Sequence, residues 1–521
     1  MSSSVVLTSI FGQQKYSIMI IRVNTKKGQL MMNSRLIAGF TTTYSTKLLN
    51  VVLFLLANLL SLTLAQESRR SMQPIASDLA NAGSLNHLQQ VQDVNQTAKS
   101  LPWSLPSNNS GYEEAAKVQI SVLRRQLLRS INKKPVKSIQ SADGDIIDCV
   151  AKDKQPAFDH PLLKDHNFET FPSSFPSRLK GSRPPRHRIR RPISVPQTWH
   201  HHGSCPSGTI PVRRTSEEDL MRWATSNSAP TAYGKKTHKP PRTNSSSKAN
   251  RVNAADDPLA SIYINGDGST DHEHAIAYVE KQDVYGASAV LSVWDPWVET
   301  SNEFSLSQMW ILGGSFDGDL NSIEAGWQVS PELYGDGSPR LFIYWTTDGY
   351  EATGCYNLLC SGFVQTSDTV AIGAAISPVS RVGSSQYQIE IMIWKDPRQG
   401  NWWMAFEGSH IVGYWPAELF SHLSDYAANM VEWGGEVVNS RPDGRHTGTQ
   451  MGSGHFAEGG FGAASFFHSL QVVDSSNNLQ PMTDVQTLAE NPHCYDIKSM
   501  QDPTWGAAFY FGGPGRNQLC L

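Results

Sequence analysis

The feature that most constrains the fold is a pattern repeated through the second half of the chain. Short aromatic and β-branched runs alternate in polarity and are separated by Gly, Asp and Ser turns: "HAIAYVE", "ASAVLSVW", "SQMWILGG", "PRLFIYW", "DTVAIGAAI", "YQIEIMIW" and "GNWWMAFEG". Period-two alternation marks strands, because successive side chains point to opposite faces. Helical periodicity there is limited to "AELFSHLSDYAANM". The expectation is an all-β domain over 258–521, an antiparallel β-sandwich of two sheets.

Two of these strands have an unusual second face. In "NSIEAGWQV", 321–329, Ile323, Ala325, Trp327 and Val329 alternate with Glu324, Gly326 and Gln328. In "VEWGGEVV", 431–438, Val431, Trp433 and Val437 alternate with Glu432, Gly434 and Glu436. A merely solvated face would favour Lys, Thr or Ser over glycine. Glycine beside an acid leaves a groove that a substrate backbone could enter. Two carboxyls facing across such a groove cannot easily both ionise, which yields one general base and one general acid. On spacing alone the solvated-glutamate interpretation stands ahead, since most strand glutamates are of that kind.

The net charge of −3 averages two unlike halves. Residues 265–521 hold 30 Asp/Glu and 9 Lys/Arg, a net of −21; residues 1–264 hold 17 and 35, a net of +18. The basic half lacks helix-turn-helix, zinc-finger or stacked-aromatic patterns, so nucleic acid is not the expected partner. The two halves are candidate partners for each other, a basic segment docking on an acidic domain and leaving it on acidification.

Lys47 precedes "LLNVVLFLLANLLSLTLA", 48–65, an apolar run ending in small residues at the −3 and −1 positions, which reads as a cleaved signal peptide after an extension, with Met31 or Met32 as possible starts. No other span is apolar enough for membrane insertion. The expectation is a secreted, extracellular protein. Segment 66–110 is polar and reads as disordered. Ser110 and Glu113 form a capping-box pattern ahead of Ile120, Leu123, Leu127 and Ile131, which predicts a helix over about 112–133. A basic, Pro-rich unit and a linker at 234–257 complete 111–257, with "RIRR" at 188–191 resembling a processing site.

Secretion makes the six cysteines potential disulfides. By position Cys355 pairs with Cys360, Cys494 with Cys520, and Cys149 with Cys205, out of fifteen connectivities. Asn95, Asn108 and Asn244 head glycosylation sequons. No cofactor and no metal are expected: "HHH" at 200–202 and "HEH" at 272–274 lack a ligand framework.

From about residue 144 onward the chain resembles the neprosin family of plant secreted proteins. "QPAFDHPLLKDH" and "CPSGTIPVRRT" match its activation segment, and "LNSIEAGWQVSPELYGD", "YWTTDGYEATGCYNLLCSGFVQ", "WKDPRQGNWWMAF", "VEWGGEVVN" and "TQMGSGHFAEGGFG" match its peptidase domain. The resemblance implies a jelly-roll, lectin-like β-sandwich behind a small mixed activation domain. It also implies a glutamic peptidase that cleaves proline-containing peptides after proline, made as a zymogen with a removable N-terminal segment. The family's two glutamates carry over to Glu324 and Glu436, and Gly326, Gln328 and Gly434 become groove candidates. Trp402 and Trp403 are candidates for a proline-binding surface, though such residues are more often core; Glu432 and Glu458 are comparison carboxylates. The competing class is a non-catalytic lectin-like or cell-wall binding module, which fourteen Trp residues would also suit.

Overall fold

The computed structural model describes residues 5–11, 17–25, 28–35, 121–122, 124–178, 197–225, 271–316, 319–350, 353–408 and 410–521. The chain divides into two units, Met1–Ala82 and Gly83–Leu521. In the first, strands β1 (Val5–Phe11), β2 (Ser17–Thr25) and β3 (Gly28–Arg35) form an antiparallel sheet in sequence order. The signal segment at 48–65, "RIRR", the 234–257 linker and the three sequons lie outside the described residues.

In the second unit the alternating runs form two sheets. The chain order of the strands is β8 (Asp271–Val284), β9 (Gly286–Ser292), β10 (Ser305–Gly313), β11 (Asn321–Val329), β12 (Arg340–Thr346), β13 (Cys355–Tyr356), β14 (Val364–Gln365), β15 (Gln388–Lys395), β16 (Trp402–Phe406), β17 (His410–Trp415), β18 (Ala428–Asn439), β19 (Ser465–Val473), β20 (Asn478–Pro481), β21 (Gln486–Ala489), β22 (Asp496–Asp502) and β23 (Gly506–Gly512). One sheet runs β13-β12-β11-β10-β18-β8-β21; the other runs β14-β17-β16-β15-β9-β19-β20, with β22 and β23 attached through β19. The pairs among these strands are antiparallel, as the sandwich expectation required.

The apolar half of each alternation fills the space between the sheets. Ile323, Ala325, Trp327, Val329, Val431, Trp433 and Val437 belong to one buried cluster with Ile391, Ile393, Trp402, Met404, Phe406 and Phe467 of the other sheet. Burying side chains of this size removes about 150–250 Å² of surface per aromatic ring, which makes this layer the main source of stability. The predicted helical stretch 417–430 is divided instead. It holds a 3-10 turn at Ala417–Leu419, a single helical turn at His422–Asp425, and then the start of β18. Strand pairing with β8 overrides the helical spacing there.

Ahead of the sandwich, β4 (Pro135–Gln140), β5 (Ile146–Ala151) and β7 (Thr209–Arg213) form a small sheet, and β6 (Ser177–Arg178) pairs in parallel with β20. The predicted amphipathic helix is helical at 121–122 and 124–131, here α1, and its stripe residues Leu127 and Ile131 are buried; Ser110, Glu113, Ile120 and Leu123 lie outside the described residues. A second helix, α2 (Glu217–Thr225), buries Leu220 and Trp223. All three expected disulfides are present: Cys149–Cys205, Cys355–Cys360 and Cys494–Cys520.

This flanking segment clasps the sandwich from outside. α1 and α2 share a cluster with Leu306, Trp310, Phe342 and Tyr344 on the outward face of the seven-stranded sheet. Ala157 and Phe158 pack with Trp394, Trp403 and Tyr414 on the outward face of the other sheet. Among the described residues, the docking does not rest on the basic-on-acidic contact that the charge split implied. Arg213 and Arg214 pair within the segment, with Asp145 at 2.8 Å and Asp148 at 2.5 Å. Among the described residues, the ion pairs that cross are Asp145 with the buried Arg340 at 2.5 Å, where the segment supplies the acid, and His166 with Glu418 at 3.2 Å. Buried contacts need fixed partners, and long cationic side chains are satisfied by the nearest carboxylates rather than by net charge.

Candidate active site

Register places the residues of the outward face in three rows across five strands. The first row reads Tyr344, Glu324, Trp310, Glu432 and Tyr278 from β12 to β8. The second reads Phe342, Gly326, Gln308, Gly434 and Ile276; the third reads Arg340, Gln328, Leu306, Glu436 and His274. The five predicted residues, Glu324, Gly326, Gln328, Gly434 and Glu436, therefore share one face. Glu324 and Glu436 are diagonal, not opposite: two strands and four residues apart, on the order of 15 Å between Cα atoms on a flat sheet. Between them stands Gln308, with a glycine on each side.

The glycines answer to close approach of neighbouring backbone rather than to the expected open space. A Cβ on Gly326 would lie 2.0 Å from the Ser307 carbonyl oxygen of β10, and one on Gly434 would lie 2.3 Å from that of Ala275 in β8. Gly434 also has φ +156°, a conformation side chains disfavour.

Glu324 is fully buried and receives hydrogen bonds from Ser322 Oγ at 2.7 Å, Tyr350 OH at 2.7 Å and Gln308 Nε2 at 3.1 Å. Glu436, equally buried, is contacted at Oε1 by His272 Nδ1, and His274 Nε2 lies 3.8 Å from the same oxygen. The other nitrogen of His274 is 2.9 Å from Glu490 Oε2. Burial would lower His274, but Glu490 and Glu436 outweigh it and raise it to about 9, so the ring is a cation at neutral and acidic pH. Burial pushes the Tyr344 and Tyr350 phenols well up, which keeps both neutral.

Several buried groups on this face have no internal partner. Among the described residues, neither oxygen of Glu432 accepts a hydrogen bond, neither amide atom of Gln328 is bonded, and Gln308 Oε1 is likewise open. Native interiors satisfy nearly all such groups, so a concentration of exceptions on one face points to a ligand.

The other sequence candidates fall elsewhere. Trp402 lies in the layer between the sheets and Trp403 on the outward face of the opposite sheet, so neither belongs to a proline-binding surface beside the glutamates. Glu458 lies in the 3-10 turn Ala457–Gly459, off these strands. His200 of "HHH" contacts the Thr369 carbonyl at 2.7 Å. The described residues offer one group with metal-ligand spacing, His446 with Cys494 and Cys520, and its two sulfurs are already joined to each other. Gln308 and the two histidines of "HEH" are members that sequence reasoning did not assign to the site. The histidines carried a usable signal, since positions 272 and 274 share a face; Gln308 had none, inside an apparently apolar strand.

Comparison with known proteins gives two family matches. A family model described as Neprosin covers residues 301–514, and one described as Neprosin activation peptide covers residues 138–278. Partly similar solved structures include scytalido-glutamic peptidase with a peptide-based transition-state analogue, 12% identical with a TM-score of 0.28 over 47% of this chain and 98% of that one. SCP-B, a member of the Eqolisin family of peptidases bound to the tripeptide Ala-Ile-His, is 11% identical with a TM-score of 0.26 over 47% and 98%. The CBM40 of the Ruminococcus gnavus IT-sialidase bound to α2,6-sialyllactose is 9% identical with a TM-score of 0.18 over 33% and 92%. At such scores none of the three bears on what this chain does.

Proposed function

The chain belongs to the neprosin family, which makes it a glutamic-type peptidase carrying an activation peptide, and from that premise we propose that it is a secreted endopeptidase cleaving after proline at acidic pH. The observation that carries the site assignment is the placement of Glu324 and Glu436 on one buried face, diagonally across Gln308, with different neighbours. The signal-like run at 48–65 supports the secretory route.

Each carboxyl takes its charge from its own surroundings. Glu436 faces the His274 cation, which favours its ionised form and suits it to act as general base. Ser322, Tyr350 and Gln308, which donate to Glu324, are neutral, which suits Glu324 to hold a proton. Turning the Gln308 amide would set its open carbonyl oxygen against a protonated Glu324, so the amide serves either state.

Hydrolysis then needs no covalent enzyme intermediate. Glu436 takes a proton from water as its oxygen attacks the carbonyl carbon of proline. Glu324 donates a hydrogen bond to the carbonyl oxygen and then gives its proton to the departing amine, and the proton on Glu436 restores the pair in the next cycle. The activation peptide, whose α2 packs on this same face beside α1, holds the zymogen closed until it is removed.

The test is product analysis. The full chain, acid-treated and incubated with a peptide containing one proline, should release a fragment ending in proline, and the Pro→Ala peptide should survive. Cleavage at other residues would remove the specificity; a bound glycan without any cleavage would favour a lectin-like module.

A further inference from the structure

We propose that Glu432 is a third substrate-contacting carboxyl on this face, a neutral acid that donates a hydrogen bond to the oxygen of the tetrahedral intermediate while Glu324 and Glu436 move the protons. This rests on the peptidase assignment above and deepens it.

Geometry carries the inference. Glu432 stands in the same row as Glu324, with Trp310 of β10 between them, so it is the carboxyl most directly across from the acid. On its own strand it is separated from Glu436 by Gly434, which places no side chain between the two carboxyls. The three acids thus surround Gln308 and the two glycines, where a peptide backbone could lie. Glu432 is fully buried, and neither of its oxygens has a hydrogen-bond partner among the described residues. A carboxyl held that way for structure alone carries the full desolvation cost of unsatisfied groups, larger still if charged. A partner that arrives with the substrate removes that cost.

The charge state agrees with donation. Burial is the main cause that raises Glu432, to about 8; His274 of β8 opposes it, while Glu324 of β11, Glu436 of its own strand and Glu490 beyond β21 reinforce it. The remaining titratable groups on this face of β8 are Tyr278, its register neighbour, Glu280, the register partner of Met430, and His272, which contacts Glu436. The group therefore holds its proton throughout the acidic range and gives none up in the cycle. It only donates a hydrogen bond, and the donor is in place before the oxygen becomes negative.

The experiment compares Glu432→Gln and Glu432→Leu with Glu324→Gln and Glu436→Gln in the acid-treated full chain, using a proline-containing peptide. Glutamine retains a neutral donor, so E432Q should keep kcat within about fivefold. E432L should lose about 10–100-fold in kcat, with KM changed less, as for removal of one oxyanion donor. Difference infrared spectra should show a protonated-carboxyl band near about pH 6 that is missing in E432Q. If E432L does not fold, the band and kcat of E432Q decide alone. Wild-type turnover in E432L beside inactive E324Q would overturn the proposal, as would the absence of the infrared band. Full activity in E324Q and E436Q would overturn the peptidase site itself, and this proposal with it.

Discussion

The two faces of the seven-stranded sheet are equally shielded from water yet are stabilised in opposite ways. On the inner face Trp327 and Trp433 are surrounded by apolar neighbours from the facing sheet. One position is the step between faces, and next to the tryptophans in sequence stand Gln328 and Glu432, as buried as they are but without hydrogen-bond partners among the described residues. Burial therefore does not separate core from site in this protein. The kind of group left open does: the inner face leaves single neutral donors such as Trp433 Nε1, Ser305 Oγ and Ser307 Oγ, whereas the outer face leaves the whole Glu432 carboxyl and the whole Gln328 amide available to a ligand.

Substitutions on each face should break that contrast in different ways. The largest structural effect belongs to the inner face: Trp327→Ala removes a large buried ring and should cost about 3–5 kcal/mol in denaturant unfolding. Next comes Gly434→Ala, which sits on the polar face yet should destabilise by about 1–3 kcal/mol through backbone collision with β8 and its positive φ. A calorimetric scan that left Gly434→Ala unchanged would mean that the glycine serves only to open the groove.

The outer face should also carry the pH dependence. His274 is raised in the folded chain from its ordinary 6.5 to about 9. Its pairing with Glu490 and Glu436 therefore contributes stability in full below the unfolded value, and this is lost as pH rises through about 9. His274→Gln should flatten the alkaline fall in melting temperature, by about 3 °C. At the acidic end the relevant group is Asp396. Burial would raise it, but hydrogen bonds from the Ser173 side chain and from backbone amides outweigh that and hold it below the usual carboxylate range. Its contribution is present above the ordinary value and lost as pH falls, so docking of the activation peptide should loosen in acid. Asp396→Asn should remove part of that pH dependence when fragment release is followed by gel filtration. The smallest effect is expected for Trp403→Phe, which lies on the opposite sheet and should leave kcat unchanged.

Much of this was legible in the sequence because alternation is local. The positions Glu324, Gly326 and Gln328 announce a shared face from spacing alone, the family motifs pointed to Glu436, and the positions of the cysteines pointed to all three disulfides. What spacing could not convey is register between strands far apart in the chain. Gln308 becomes the centre of the site only because β10 lies between β11 and β18, and the diagonal relation of Glu324 to Glu436 depends on the same pairing. That register also makes Glu432 the row partner of Glu324. Trp402 and Trp403 were misplaced for the complementary reason: their alternation was visible, but not the sheet to which it belongs.

The most direct test measures kcat/KM and melting temperature together for acid-treated wild type, E324Q and E436Q on the proline-containing peptide. Both variants should lose at least about 100-fold in kcat/KM, about 2.7 kcal/mol of transition-state stabilisation, while melting within a few degrees of wild type. Activity retained in either variant, or lost only in step with unfolding, would contradict the assignment of this face as the site of peptide hydrolysis.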